Sequence, residues 1–155
     1  VFDSVKLEWM NGLYIRQMKD KDLAEKIYIF YNKKYQRELI DKTIPLVKER
    51  IKKLSDYGLM CEFLFSPPKI YEIDLGKYKE LLKSVQEVLS KISEWKALSI
   101  GESMGELAKK LGIKNSEFFM VLRIAITGKK ISPPLNESME LLGKEECLKR
   151  IKNVA

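Results

Sequence analysis

The sequence predicts an all-α fold made of two helical subdomains, and three observations lead to that prediction. Apolar residues recur at helical spacing along most of the chain. No stretch shows the sustained alternation of apolar and polar residues that marks a half-buried strand. Helix start and stop signals, such as Asp74 and Gly112, separate the apolar segments. With 155 residues, 45% of them hydrophobic, the chain can bury one large core or two smaller ones.

The first helical subdomain is predicted to comprise residues 1–65. Asp20 opens its first clear helix, because an acidic residue suits the positive N-terminal end of a helix. The next apolar run, residues 39–54, contains Pro45, which should kink that helix or begin a new one. A short helix is then expected from Ser55, a residue type that favours helix N-termini.

The second helical subdomain is predicted to comprise residues 66–155, because Ser66-Pro67-Pro68 should stop the preceding helix. Asp74 is expected to cap a long helix that ends at Trp95. Glycine is favoured where a helix ends in the left-handed conformation. Three glycines are placed at such ends: Gly112, Gly128 and Gly143.

The charge balance suggests a polyanionic partner. The formal net charge is +7, from 29 basic and 22 acidic residues, which favours nucleic acid or anionic lipid, although a solvated lysine-rich surface has the same balance. No apolar run approaches the roughly 20 residues that span a bilayer, so we expect no membrane partner. The absence of histidine removes the commonest general base and histidine-based metal sites. We therefore expect no catalytic residue and no metal site in this chain.

The two cysteines, Cys61 and Cys147, stand alone without a metal-binding or redox spacing. Because no secretion signal is visible, we expect two reduced, buried thiols in a cytoplasmic protein. The chain begins on Val1 with a motif already under way by Lys6, and we expect it to be a piece of a longer protein.

The segment LRIAITGKKISPPL, residues 122–135, combines a cationic turn with a helix start. Gly128 should end one helix, and Ser132 should cap the next with Pro133 at its first position. Such a corner suits single-stranded nucleic acid, because lysines and helical N–H groups meet phosphates while arginine and apolar side chains meet unstacked bases. The alternative is an ordinary corner whose arginine bonds to a carboxylate. The candidate RNA-binding residues here are Arg123, Lys129, Lys130, Ser132 and Leu135, with Leu135 as an apolar lip.

A second basic zone, KERIKK at residues 48–53, includes Arg50. Its apolar neighbours should face inward on a helix and leave its cations exposed. Several tyrosines lie near this zone in the sequence, and aromatic rings among basic residues can stack on bases. They can equally be the edge of a core. The tyrosines are Tyr28, Tyr31, Tyr35 and Tyr57.

These segments together resemble the anticodon-binding region of bacterial and organellar glutamyl-tRNA synthetases. The resemblance rests on KLEWMNGLYIR at residues 6–16, on LRIAITGKKISPPL, and on MELLGKEECLKRI at residues 139–151, and it extends over essentially the whole chain. It implies an all-helical cage of two subdomains. It also implies a parent class I enzyme that uses ATP to attach glutamate to tRNA(Glu). The parent's H-I-G-H-like and K-M-S-K-S-like motifs are not present here, so we expect neither catalysis nor a cofactor in this chain.

The resemblance also implies roles for individual residues. Arg123, Ser132 and Leu135 match positions that contact anticodon bases, and Arg50 matches an arginine that reads the third anticodon base. That base is cytosine in the glutamate anticodon and guanine in the glutamine anticodon. A guanidinium offers only donors, so it suits the acceptors of cytosine and meets donors on the Watson–Crick edge of guanine. Arg50 therefore predicts discrimination against tRNA(Gln).

Two other functions fit parts of the pattern. The chain could be a helical protein–protein interaction module whose basic surface meets an acidic partner. It could also be a helix-turn-helix DNA-binding domain, although the helix around Arg123 is largely apolar, which counts against a recognition helix. We favour a monomer whose partner is the anticodon loop of tRNA(Glu).

Overall fold

A computed structural model describes residues 3–155. Within that range the chain forms nine α-helices and no β-strand, which confirms the all-α prediction. The chain divides into two compact units that meet in sequence between Phe65 and Ser66. No helix in the described range is long and apolar enough to cross a membrane.

The first unit is built on a pair of helices that bury their apolar faces against each other. Its core contains Leu23 and Ile27 from one helix and Ile40 and Ile44 from the other, all with no exposed surface. The Tyr57 hydroxyl is also buried and lies 2.7 Å from the Thr43 hydroxyl, so each buried polar group has a partner. The helices are α1 (Ser4–Gln17), α2 (Asp20–Phe30), α3 (Arg37–Val47) and α4 (Ser55–Cys61), followed by a 3-10 turn at Glu62–Leu64.

The helix predicted over residues 39–54 is wrong in its second half, because α3 ends at Val47. Pro45 lies in the last turn of α3 and has no N–H to donate to the preceding turn, which weakens the helix there. The following backbone is held by a side chain instead, since Asp56 Oδ2 accepts from the N–H groups of Lys52 (2.9 Å) and Lys53 (3.2 Å). The segment after α3 is therefore a turn.

The second unit packs four helices around the largely apolar α7. The helices are α5 (Lys79–Ser90), α6 (Ala97–Leu111), α7 (Asn115–Thr127), α8 (Leu135–Leu142) and α9 (Lys144–Val154). Asp74 accepts a hydrogen bond from Gly76 N at 2.9 Å and so caps a 3-10 turn, Leu75–Tyr78, that leads into α5. The predicted end at Trp95 is wrong, because α5 stops at Ser90. The Trp95 indole N–H instead donates to Met139 O at 2.9 Å.

The three predicted helix-ending glycines all follow helices, but they differ in conformation. Gly112 and Gly128 have φ values of 67° and 82° and adopt the left-handed conformation. Gly143 has φ 86° with ψ 156°, a region that only glycine enters readily. It separates α8 from α9 without a left-handed turn.

Both thiols are buried and unpaired, as predicted. Burial raises the pKa of Cys61 and of Cys147 to about 12, from an ordinary value near 9. Because the folded state keeps protons that the unfolded chain releases, we expect stability to be constant below pH 9 and to fall between pH 9 and 12. The slope for each thiol approaches about 1.4 kcal/mol per pH unit. Urea denaturation at a series of pH values measures this, and a Cys61→Ala, Cys147→Ala variant should show a shallower fall.

Candidate nucleic-acid interface

The corner that follows α7 is a tight turn closed by backbone and hydroxyl groups. Gly128 N donates to Ile124 O at 2.7 Å, which closes the last turn of the helix. The Thr127 hydroxyl donates to Arg123 O at 2.8 Å and accepts from Lys129 N at 3.2 Å. A threonine side chain thus links the final helical turn to the first lysine beyond it. The direction of the chain at Lys129 is therefore set by α7.

Arg123 spans this corner from the inside. Its Nη1 atom donates to Ser132 Oγ and to Pro133 O, the latter at 3.2 Å. The Ser132 hydroxyl is buried and also donates to Pro133 O at 2.7 Å. Both acceptors are uncharged, so these bonds add no negative charge beside the guanidinium. Arg123 therefore ties α7 to the chain that leads into α8, and it brings a positive charge to the corner.

The predicted start of the next helix is wrong by three residues. α8 begins at Leu135 with Pro134 at its N-terminal boundary, and Ser132 makes no capping bond to the helix. The cause is the proline pair, because a residue that precedes proline is pushed out of the helical conformation. Ser132 and Pro133 each precede a proline, so the helix can begin only after Pro134. The Ser132 hydroxyl is used by Arg123 instead.

Leu135 does not form the predicted apolar lip. It is only 5% exposed and belongs to the core of the second unit. Exposed apolar surface near the corner comes instead from Ile131, at 76% exposure, and from Ile70, at 83%. The signal for Ile131 was present in the sequence, since a lone isoleucine in the polar turn GKKIS has no helical partner at which to point inward. No comparable signal marked Ile70.

The lysines of the corner point toward solvent to different extents. Lys130 is exposed and Lys129 is half-buried. The structure thus brings five predicted residues of the second unit into one corner, where three supply positive charge and Ser132 and Leu135 act from within the protein. The charge is concentrated where the chain protrudes, which suits contact with phosphate groups.

Arg150 was not predicted and supports the corner from below. It is a buried arginine on α9, 3% exposed, and its Nη1 atom donates to Ile126 O at 2.9 Å. Its Nε atom is 2.9 Å from a Glu146 carboxylate oxygen one turn earlier. The four-residue spacing of Glu146 and Arg150 is visible in KEECLKR and could have indicated an ion pair. It could not have indicated that the pair is buried.

Arg50 belongs to the first unit, in the turn that follows α3, and its side chain is exposed. Its backbone N–H donates to Val47 O at 2.8 Å, which holds the turn against the end of the helix. Two neighbouring lysines pair with acidic residues, Lys48 with Asp20 at 2.8 Å and Lys52 with a Glu8 oxygen at 3.8 Å. That Arg50 and Arg123 face one RNA loop stays a prediction.

Three of the four tyrosines near this zone are part of the protein's own packing. The Tyr31 hydroxyl accepts from Gly58 N at 2.8 Å, and the Tyr35 ring stacks on Phe65 with 4.3 Å between centroids. Burial raises the pKa of both tyrosines. Tyr57 is fully buried. These positions favour the core interpretation over a stacking platform for bases. Among residues 3–155 no group of acidic or cysteine side chains is arranged to hold a metal ion.

An all-helical domain with a cationic, partly apolar corner is one class of RNA-binding protein. The sequence matches the family described as anticodon binding domain over residues 16–155, and the chain belongs to that family. It is homologous to the C-terminal part of glutamate–tRNA ligases, and this homology favours tRNA binding over the protein–protein interaction module. The predicted resemblance is thereby confirmed.

The similarity to individual relatives extends over nearly the whole chain. The glutamate–tRNA ligase of Dehalococcoides mccartyi is 35% identical over 167 aligned positions, which cover 97% of this chain and 34% of the relative. The glutamate–tRNA ligase of Acidothermus cellulolyticus is 32% identical and covers 100% of this chain and 34% of its own length. The chain thus spans about a third of the length of these relatives.

A solved structure of a relative has the same fold. The crystal structure of a glutamate–tRNA ligase from Elizabethkingia meningosepticum, in complex with its amino acid, superimposes with a TM-score of 0.82 at 27% identity. The match covers 99% of this chain and 32% of the ligase. The helical arrangement described above is therefore shared with a segment of a complete ligase.

Proposed function

We propose that this chain recognises the anticodon loop of tRNA(Glu) as the anticodon-binding part of a glutamate–tRNA ligase. The observation that carries the proposal is the alignment of essentially the whole chain with glutamate–tRNA ligases. The ATP-dependent attachment of glutamate would belong to the rest of such an enzyme. We further propose that this part needs no cofactor and acts as a monomer. The cytoplasmic location stays a prediction.

The corner after α7 supplies the phosphate contacts in this proposal. Lys129 and Lys130 neutralise phosphates of the loop, because RNA binding draws much of its free energy from the release of counterions. Arg123 adds positive charge and holds Ser132 and Pro133 in place through its Nη1 atom. Leu135 acts through the core, where it fixes the start of α8. Its effect on RNA is thus positional.

Arg50 supplies base selection in the proposal. Its exposed guanidinium offers donors to the O2 and N3 acceptors of cytosine at the third anticodon position. Guanine at that position would present N1–H and N2–H donors to the same group. A mismatch of this kind leaves a charged donor without its acceptor, at a cost of about 1–3 kcal/mol.

The test is direct binding of the chain to a fluorescent anticodon stem-loop of tRNA(Glu), followed by anisotropy. We expect the affinity to fall roughly 10-fold between about 50 and 200 mM salt, as for two or three phosphate contacts. Arg50→Gln should bring the affinities for loops with cytosine and guanine at the third anticodon position within a factor of about 2, from about 5-fold or more in the unmodified chain. Lys53→Gln, an exposed cation in the same segment, is the matched control and should weaken both loops equally.

Two results would contradict the proposal. One is binding that does not depend on salt, or binding to the anticodon stem-loop that is no tighter than to the same stem closed by an unrelated loop. The other is an unchanged preference for cytosine in Arg50→Gln, which would remove Arg50 from base selection and leave the corner as the remaining contact.

A further inference from the structure

Two isoleucines near the corner are exposed to a degree that a solitary globular surface does not require. Ile70 is 83% exposed and Ile131 is 76% exposed, whereas the apolar residues that follow them in the chain contribute to the core. Burying such side chains against a ligand is favourable by about 25 cal/mol per Å² of apolar area. Both positions therefore have the chemistry of a contact surface.

The structure places the two isoleucines side by side on the second unit. Glu72 N donates to Gly128 O at 3.0 Å, so the segment that precedes α5 runs along the turn after α7. The contact is close, since a Cβ atom on Gly128 would lie 2.7 Å from Ile70 O and 2.8 Å from Pro68 Cβ. Ile131 is three residues beyond Gly128 in the same turn. The isoleucine–lysine patch, as we call it, consists of Lys69, Ile70, Lys129, Lys130 and Ile131.

The charge around the two isoleucines is predominantly positive. Lys69 and Lys130 are exposed, and neither forms an ion pair with any carboxylate in the described part of the chain. Lys129 adds a third cation, and the exposed Glu72 is an acidic residue of the same segment. In both strands of the patch a lysine directly precedes an isoleucine. This alternation of cation and apolar side chain matches the alternation of phosphate and base along a single strand.

We propose that the isoleucine–lysine patch binds an unpaired base of the anticodon loop, with Ile70 and Ile131 against the face of the base and the lysines on its flanking phosphates. This inference rests on the proposed function and assigns the apolar contact to residues that the sequence did not indicate. It takes that role from Leu135, which is buried. An apolar protein surface would leave the lysines without partners, whereas an RNA strand satisfies both parts of the patch.

The test uses Ile70→Thr and Ile131→Thr, which keep a β-branched shape and remove apolar surface. Leu98→Thr is the matched control, because Leu98 is 73% exposed on α6, an element outside the patch. We expect each isoleucine variant to bind the anticodon stem-loop about 5-fold more weakly, with an unchanged salt slope, and the control to bind as the unmodified chain does. Ile131→Phe should bind at least as tightly, since a ring offers more surface to a base. Thermal melts verify that each variant is folded.

A second measurement identifies the base. Stem-loops with an abasic site at each anticodon position in turn should reveal one position whose base contributes to binding in the unmodified chain and contributes nothing in Ile131→Thr. If the unmodified chain does not bind the stem-loop, the proposed function fails and this inference fails with it. If the chain binds but both threonine variants match it, or if every abasic loop loses affinity equally in all variants, the inference is overturned and the proposed function stands.

Discussion

Gly128→Ala is expected to destabilise the second unit by about 2–4 kcal/mol. Part of the loss is conformational, because φ is 82° at this position and a left-handed conformation costs an L-residue about 1–2 kcal/mol. The larger part is steric. The new Cβ would lie 2.7 Å from Ile70 O and 2.8 Å from Pro68 Cβ, closer than van der Waals contact allows. The neighbours cannot relieve this by rotating a flexible side chain, because one is a carbonyl and the other a proline ring.

Gly112→Ala separates the two contributions. Gly112 also adopts the left-handed conformation, with φ 67°, and a Cβ there would have no neighbouring atom within 4 Å. We therefore expect a loss of about 1 kcal/mol, from the conformation alone. Urea denaturation followed by circular dichroism measures both variants. Equal losses in the two would show that the chain before α5 yields easily at Gly128. The Gly128 variant should also bind the anticodon stem-loop more weakly, since the isoleucine–lysine patch depends on that contact.

The sequence indicated the helices more reliably than the side chains that project from their ends. Gly128 was predicted as a helix terminus from local chemistry alone, because glycine tolerates the left-handed conformation whatever surrounds it. The interpretation of Ser132 failed for the opposite reason. Serine before a helix suggests a cap, but two consecutive prolines delay the helix and release the hydroxyl to Arg123. The competing effect of the second proline was present in the sequence and was underweighted.

Burial is the property that the sequence did not determine. Leu135 and Ile131 are both aliphatic residues near the same turn, yet one is in the core and the other in solvent. Which of them points inward depends on where α8 begins, and a shift of three residues exchanges their roles. Arg150 shows the same limit for a charged residue, since burial is rare for arginine and requires acceptors from another part of the fold. Those acceptors, Ile126 O among them, come together only after folding.

The segment around Arg50 was predicted as a helix and is a turn, which changes how its arginine is held. A helix would have fixed Arg50 through its own backbone hydrogen bonds. In the turn, the neighbouring backbone N–H groups of Lys52 and Lys53 depend on the Asp56 carboxylate. The apolar spacing was a correct guide to burial, since Ile51 is fully buried, but not to conformation. Periodicity indicates which residues face inward more dependably than it indicates where a helix ends.

Arg150→Ala is expected to cost about 3–5 kcal/mol of stability, the loss typical of breaking a buried charged pair from one side. The substitution leaves Ile126 O and a Glu146 oxygen without the partners they have at 2.9 Å. It also leaves a space between α9 and α7. Arg150→Met fills that space without charge, and we expect it to lose less, because an apolar replacement of similar volume is better tolerated than a truncation.

Arg37→Ala is the matched control for this measurement. Arg37 also bonds to carboxylates, those of Glu25 and Asp41, but these groups are exposed and their pairing is worth about 1 kcal/mol or less. A loss in Arg150→Ala no larger than in Arg37→Ala would show that water replaces the buried guanidinium without penalty. The same three variants also connect stability to function. Because Arg150 holds the last turn of α7 just before Gly128, Arg150→Ala should weaken RNA binding at temperatures where the protein is still folded, and Arg37→Ala should not.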